Sequence, residues 1–116
     1  MKNYLFILLI CLGCASKKEI VVPKFESKIV SNEKLSCRAI FVDTDKVWLG
    51  MDKGRYGFYD KKKDTLVVKT IQSVSNTTEF RSIAATKDAI FILAVGNPAK
   101  LIKIDKKSLQ ETIVYL

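Results

Sequence analysis

From Arg38 onward the chain is a succession of short apolar, β-branched and aromatic runs, each closed after a few residues by Asp, Gly, Asn, Thr or Lys. Alternation of this kind is the mark of strands in half-buried sheets, and no stretch carries a 3.6-residue helical period. Eight strands are predicted: Arg38–Val42, Val47–Gly50, Arg55–Tyr59, Leu66–Thr70, Arg81–Ala85, Ala89–Val95, Lys100–Ile104 and Glu111–Tyr115. Asp43-Thr44-Asp45-Lys46 and Thr86-Lys87-Asp88 supply tight turns, while Gly54 and Gly96-Asn97-Pro98 break the second connection of each set of four. Upstream, Phe25–Val30 follows the punctuating Pro23 and is a further candidate strand.

The eight runs divide into two similar units. Arg38 and Arg81, Ile40 and Ile83, Asp45 and Asp88, Val47 and Ile90, Trp48 and Phe91, and Leu49 and Ile92 all recur at a separation of 43 residues. Asp60 and Asp105, each followed by two lysines, recur at 45, so the second unit carries two extra residues. A period of about 40–45 residues with four strands matches a blade of a β-propeller. The expected fold is therefore all-β, with four-stranded antiparallel meanders at residues 35–76 and 77–116 forming two consecutive blades. Closed propellers need about four to eight blades, and Ile113–Leu116 ends the chain inside a strand, so a longer protein is expected. The alternative is a small β-sandwich packing the two meanders face to face.

The N-terminus has a different character. Lys2 precedes an uncharged apolar run of nine residues, Tyr4–Leu12. That is too short to span about 30 Å of hydrocarbon as a helix and suits a signal-peptide core. Leu12-Gly13-Cys14-Ala15-Ser16 resembles the bacterial lipobox, in which the cysteine is thioether-linked to diacylglycerol before cleavage; Cys11 departs from the leucine usual three residues before that cysteine. This implies a leader at residues 1–13, lipidation of Cys14 and a tether at 14–34. It places the protein in the bacterial cell envelope, outside the cytoplasm, with the membrane as a partner. An ordinary cleavage site or an uncleaved anchor is the alternative reading.

Composition narrows the chemistry. The chain has no histidine, which excludes His-based triads, Cys-His dyads and the commonest zinc ligand sets; no cofactor and no metal site is expected. With Cys11 in the leader and Cys14 at the anchor, Cys37 is the lone thiol of the folded region, expected buried as a small apolar residue. A net charge of +8 comes mostly from lysines scattered through turns, with no basic helix and no arginine cluster interleaved with aromatics, so no nucleic-acid partner is expected.

The segment Arg38-x-Ile40 leading to Val47-Trp48-Leu49-Gly50 and Gly54 is followed by Glu79-Phe80-Arg81-Ser82-Ile83 leading to Ile92-Leu93 and Gly96-Asn97-Pro98-Ala99-Lys100. This pattern resembles the plant and cyanobacterial photosystem II stability and assembly factors and their bacterial relatives, over about Leu35–Leu116. The resemblance implies a seven-bladed propeller that acts as an assembly scaffold, hence a binding module. Repeats of that family commonly end in an Asp-box-like turn; Asp60 and Asp105 keep its aspartate, but its glycine and tryptophan are absent. The arginine-rich patch by which photosynthetic members contact their partner is also not visible, so photosystem assembly does not carry over.

Two candidate site residues remain, Arg38 and Arg81, at the start of the first strand of each unit. In a propeller the first strand lies nearest the central channel, where recurring arginines make a positive ring able to take a carboxylate, a phosphate or an acidic peptide. The competing role is inter-blade glue, each arginine pairing with a neighbouring acid. Trp48 and Phe91 read as inter-blade core, and Asp43 and Asp45 as turn residues rather than an opposed acid pair. Gly50, Gly54 and Gly57 do not form a dinucleotide fingerprint. Two classes of function are left. One is a non-catalytic scaffold binding an envelope protein or acidic ligand. The other is a sialidase-like glycoside hydrolase with catalytic groups elsewhere.

Overall fold

Alternating apolar positions and turn residues produce the eight strands with shifts of at most two residues from the sequence expectation. The computed structural model describes residues 17–115. It contains β1 (Cys37–Val42), β2 (Lys46–Met51), β3 (Arg55–Asp60), β4 (Thr65–Thr70), β5 (Glu79–Ala85), β6 (Ala89–Val95), β7 (Lys100–Asp105) and β8 (Glu111–Tyr115). These form two four-stranded antiparallel sheets, each a simple meander, β1-β2-β3-β4 and β5-β6-β7-β8. No helix occurs among the described residues.

The repeat extends to individual hydrogen bonds. The first turn of each sheet is closed by the same backbone bond, Asp43 N–H to Lys46 C=O at 2.8 Å and Thr86 N–H to Ala89 C=O at 2.9 Å. The third turn is organised by one aspartate: Asp60 Oδ1 accepts the N–H groups of Lys62 and Lys63, and Asp105 Oδ1 those of Lys107 and Ser108. Each such turn leaves through a residue of positive φ, Asp64 at 53° and Leu109 at 59°. Each also docks on the first turn of its own sheet, Lys61 N–H to Asp45 C=O and Lys106 N–H to Asp88 C=O, both 2.9 Å. The second turns differ: Lys53 and Gly54 both take positive φ, whereas the β6–β7 turn holds the two extra residues and the cis Asn97-Pro98 bond.

The core lies between the sheets. Directly paired residues share a face. Phe41, Trp48, Phe58 and Val67 stand in one such row of the first sheet. In the second sheet Ile83, Ile92 and Ile102 form one row, and Ala85, Ile90 and Ile104 another on the same face. These two faces make a single cluster with Tyr56, Ile71, Phe80 and Ala94. Trp48, Phe80, Ile90, Ile92, Ile102 and Ile104 are each at most 1% exposed. Burying each such side chain stabilises the fold by about 1.5–3 kcal/mol.

The joint unites unlike faces of like sheets. By the 43-residue separation the counterpart of Trp48 is Phe91, yet Phe91 stands in the row Ala84-Phe91-Lys103, on the face of the second sheet turned away from the core. Correspondingly Ile40 and Val42, counterparts of the inward Ile83 and Ala85, lie on the outer face of the first sheet, 62% and 65% exposed. The first sheet thus offers its Trp48 face, and the second accepts it on the opposite kind of face. The sheets are closest at one edge, where β5 packs against β1 and β2 and touches β3 less. They diverge toward β4 and β8.

Three sequence expectations are corrected. Cys37 is exposed rather than buried, because it lies at the start of β1 on the outer face of the first sheet, where its cover is only partial. Phe91 is only half-buried and does not join the core cluster, for the same reason. Phe25–Val30 forms no strand: it pairs with no ladder, and Phe25 and Ile29 are 89% and 85% exposed. Its anchoring contact is a salt bridge from Lys28 to Asp64 in the β3–β4 turn.

Candidate functional site

Arg38 and Arg81 are the extra residues of two matching β-bulges. The register of β1 on β2 slips between Cys37 and Ala39, and that of β5 on β6 between Phe80 and Ser82. A bulge re-aims the side chain of its extra residue and breaks the inward–outward alternation. Both guanidinium groups are consequently left at the surface, with side chains 48% and 59% exposed, on the two strands where the sheets come together.

One carboxylate serves both. Glu79 Oε2 accepts hydrogen bonds from Arg81 Nε at 2.9 Å and Nη2 at 2.6 Å, along the same strand. Its other oxygen, Oε1, lies 3.9 Å from Arg38 Nη2 across the joint. The structure therefore brings the two predicted arginines to one acid, with a surplus positive charge. The Arg38 contact is long and exposed, in the range where an ion pair contributes about 0–1 kcal/mol. Glu79 is the member of this cluster that sequence reasoning did not single out; its place two residues before a repeating arginine was the available signal.

A shallow cleft of about 270 Å³ opens at the same end of the sheets. Its walls include Ser75, Thr77, Thr78, Val95, Asn97 and Lys100, from the β4–β5 loop and the β6–β7 turn. Thr78 precedes Glu79, and Val95 pairs with it, so the cleft adjoins the arginine pair. Ser75 Oγ is within 2.8 Å of Thr77 Oγ1 and 3.3 Å of Thr78 Oγ1, and Lys100 Nζ donates to the Ser73 carbonyl at 3.2 Å. This end thus carries hydroxyls and cations together.

The opposite end has a cleft of about 250 Å³ whose lining Asp43, Asp45 and Lys106 are engaged in ion pairs. Lys106 Nζ spans the joint to Asp43 Oδ2 at 2.7 Å, and this ammonium, with the Thr44 N–H, holds the Asp43 carboxyl below its ordinary range. Asp45 faces Lys62 at 3.3 Å, so Asp43 and Asp45 are turn residues engaged by lysines and not an opposed pair. Lys46 Nζ lies 4.4 Å from the Phe58 ring centre and 5.7 Å from that of Trp48, covering the end of the core. At that same end Tyr59 donates to Asp64, which raises the phenol pKa. A tyrosine–carboxylate pair therefore exists, but a strand length from the arginines, roughly 17 Å for five residues. Tyr56, sealed in the joint, has its phenol pushed up to about 12 by burial, with the Glu111 charge adding to the effect. Cys37 is exposed as a residue, but the partial cover of its sulfur raises the thiol pKa, against the lowering effect of its hydrogen bond to the Ala39 carbonyl. Cys14 lies outside the described residues.

Comparison with protein-family models, with curated proteins and with solved structures finds no match to this chain.

Proposed function

We propose that the chain supplies two successive blades of a β-propeller, held at a bacterial cell envelope by a lipid on Cys14. In this reading it serves as a non-catalytic scaffold that binds an acidic protein segment or ligand at Arg38 and Arg81. The observation that carries the reading is the joint of unlike faces, with a bulged, exposed arginine at the same place in each sheet. Two equivalent meanders stacked as a two-fold sandwich would bury the same face of each. Unlike faces joined head to tail generate a ring when the rotation closes. The divergence of the sheets from β1 and β5 toward β4 and β8 favours the same arrangement, with the arginine-bearing strands innermost. The likeness to photosystem II assembly factors points the same way.

Binding without turnover is the reading favoured by the acids. The carboxylate nearest the arginines is engaged with both, and the tyrosine–carboxylate pair a glycosidase of the sialidase kind would want lies at the other end. An incoming carboxylate has two guanidinium groups to meet, with Glu79 as the group it displaces. Binding of a fluorescent oligoglutamate peptide to the full chain tests this. It should weaken with salt, because screening shortens from about 10 Å at 0.1 M to about 3 Å at 1 M. Arg38→Ala and Arg81→Ala should each weaken it by roughly 1–3 kcal/mol with little change in melting temperature. Loss of stability with intact binding would mean the arginines serve only as glue between the sheets.

A further inference from the structure

The second sheet departs from the repeat in the β6–β7 turn, where Gly96-Asn97-Pro98 replaces the tight Lys53-Gly54 turn of the first. That turn forms one wall of the cleft of about 270 Å³ beside the arginines, and the β4–β5 loop forms the other. Insertions in a repeat collect in loops on one face, which is often the binding face. Both walls come from loops of the two sheets, so the cleft is bounded from within and does not lie on an outer sheet face.

The loop wall is fixed by backbone bonds. Thr78 N–H donates to the Ser75 carbonyl at 3.1 Å, and Gly54 N–H donates to the Thr78 carbonyl at 2.8 Å. Only glycine permits this approach, since φ at Gly54 is 66° and a Cβ there would stand 2.9 Å from Val74 Cγ2. Lys100 Nζ reaches from β7 to the Ser73 carbonyl and ties the second wall to the first. The polar groups are therefore placed before a ligand arrives, which lowers the ordering cost of binding.

The lining sets the chemistry of the ligand. The two bonds among the hydroxyls of Ser75, Thr77 and Thr78 use two of their three protons, so the cluster offers more acceptors than donors. A bare carboxylate or phosphate only accepts, and finds a single hydroxyl proton there. A sugar hydroxyl both donates and accepts, and matches the cluster. Asn97 on the facing turn carries an amide that also does both. Val74, Ala94 and Pro98 add apolar surface for the C–H face of a ring. Among the described lining residues Lys100 is the one charged group, and it keeps two protons after bonding Ser73. The volume lies just under the range of about 300–1,000 Å³ usual for small-molecule sites, room for one sugar ring. We infer that the cleft seats the hydroxyl-bearing ring of an acidic saccharide, whose acidic group faces Lys100 and the neighbouring Arg81 and Arg38. The seat for the ring stands on the cleft, and the acidic group rests on the arginine reading above.

Calorimetric titration of the full chain in mild detergent tests this, with oligogalacturonate and an oligoglutamate of equal charge as probes. Oligogalacturonate should bind roughly tenfold or more tightly than oligoglutamate. Ser75→Ala and Thr77→Val leave the charge unchanged and each remove one hydroxyl. Each should weaken oligogalacturonate by roughly three- to tenfold and leave oligoglutamate unaltered. Equal affinity for the two probes, a preference for the peptide, or cleft variants without effect on the saccharide would overturn the inference. The comparison of probes on the unsubstituted chain decides the matter even if a variant fails to fold. Arg38→Ala and Arg81→Ala should weaken both probes. If they weaken neither while Ser75→Ala and Thr77→Val act, the arginine reading fails and the seat for the ring stands.

Discussion

Phe80→Ala is the sharpest perturbation of the joint between the sheets. Phe80 is 0% exposed and belongs to the core cluster, and across the joint it faces Gly50, where a Cβ would stand 3.1 Å from Phe80 Cβ and which has no side chain to fill a cavity. Phenylalanine-to-alanine changes in cores cost about 3–5 kcal/mol, and more where the site cannot collapse, so the upper part of that range applies. A domain of about 80 ordered residues is stable by on the order of 4–12 kcal/mol, and two uncovered sheet faces place this one toward the lower end. The substitution should therefore lower the melting temperature by on the order of 20 °C or leave the chain largely unfolded. Trp48 is the single tryptophan and is buried in the joint, so its emission during urea unfolding reads the joint directly. Ile40→Ala, on the outer face, is the reference and should change stability by no more than about 0.5 kcal/mol in dilute solution. A Phe80→Ala protein within about 1 kcal/mol of the parent would refute a core built between these two faces.

Three further outcomes are expected. Glu79→Gln should strengthen oligoglutamate binding and leave it salt-sensitive, because it removes the carboxylate that competes for both arginines; titration at low and high salt checks this. Stability should be nearly flat around neutral pH and fall on acidification, because Asp43, Asp60 and Asp105 all have lowered pKa values in the fold. Their contribution is complete above the unfolded carboxylate value of about 3.9 and is lost as the pH falls through the folded values, as urea midpoints from pH 7 to 2 would show. Cys14→Ser should abolish lipid attachment, and an unmodified Cys14 in the mature membrane-associated protein, found by mass spectrometry, would end the anchor reading.

The strands were legible because each is specified locally, by alternation and by turn residues such as Asp60 and Asp105 that fix the chain with their own side chains. The repeat was legible for the same reason, and its two extra residues fall in the β6–β7 turn. What could not be read is non-local. Bulges at Arg38 and Arg81 are properties of pairing between strands, and no residue type announces them. The meeting of both arginines at Glu79 depends on β5 lying beside β1. Periodicity tells which residues share a face but not which face meets which, so Trp48 and its counterpart Phe91 were both expected in the core when only one face was covered. The expectation for Cys37 used residue type where position decides. Phe25–Val30 has strand composition, but a strand also needs a ladder to join.

Contacts of the Trp48 indole in solution test the central claim, that unlike faces of the two sheets meet, most directly. Nuclear Overhauser measurements on a methyl-labelled chain should connect the indole protons to isoleucine methyls of the inner face, among Ile90, Ile92, Ile102 and Ile104. Cross-peaks from Trp48 to Leu93 and Leu101, with none to those isoleucines, would mean that like faces meet as in a sandwich, and would contradict the account.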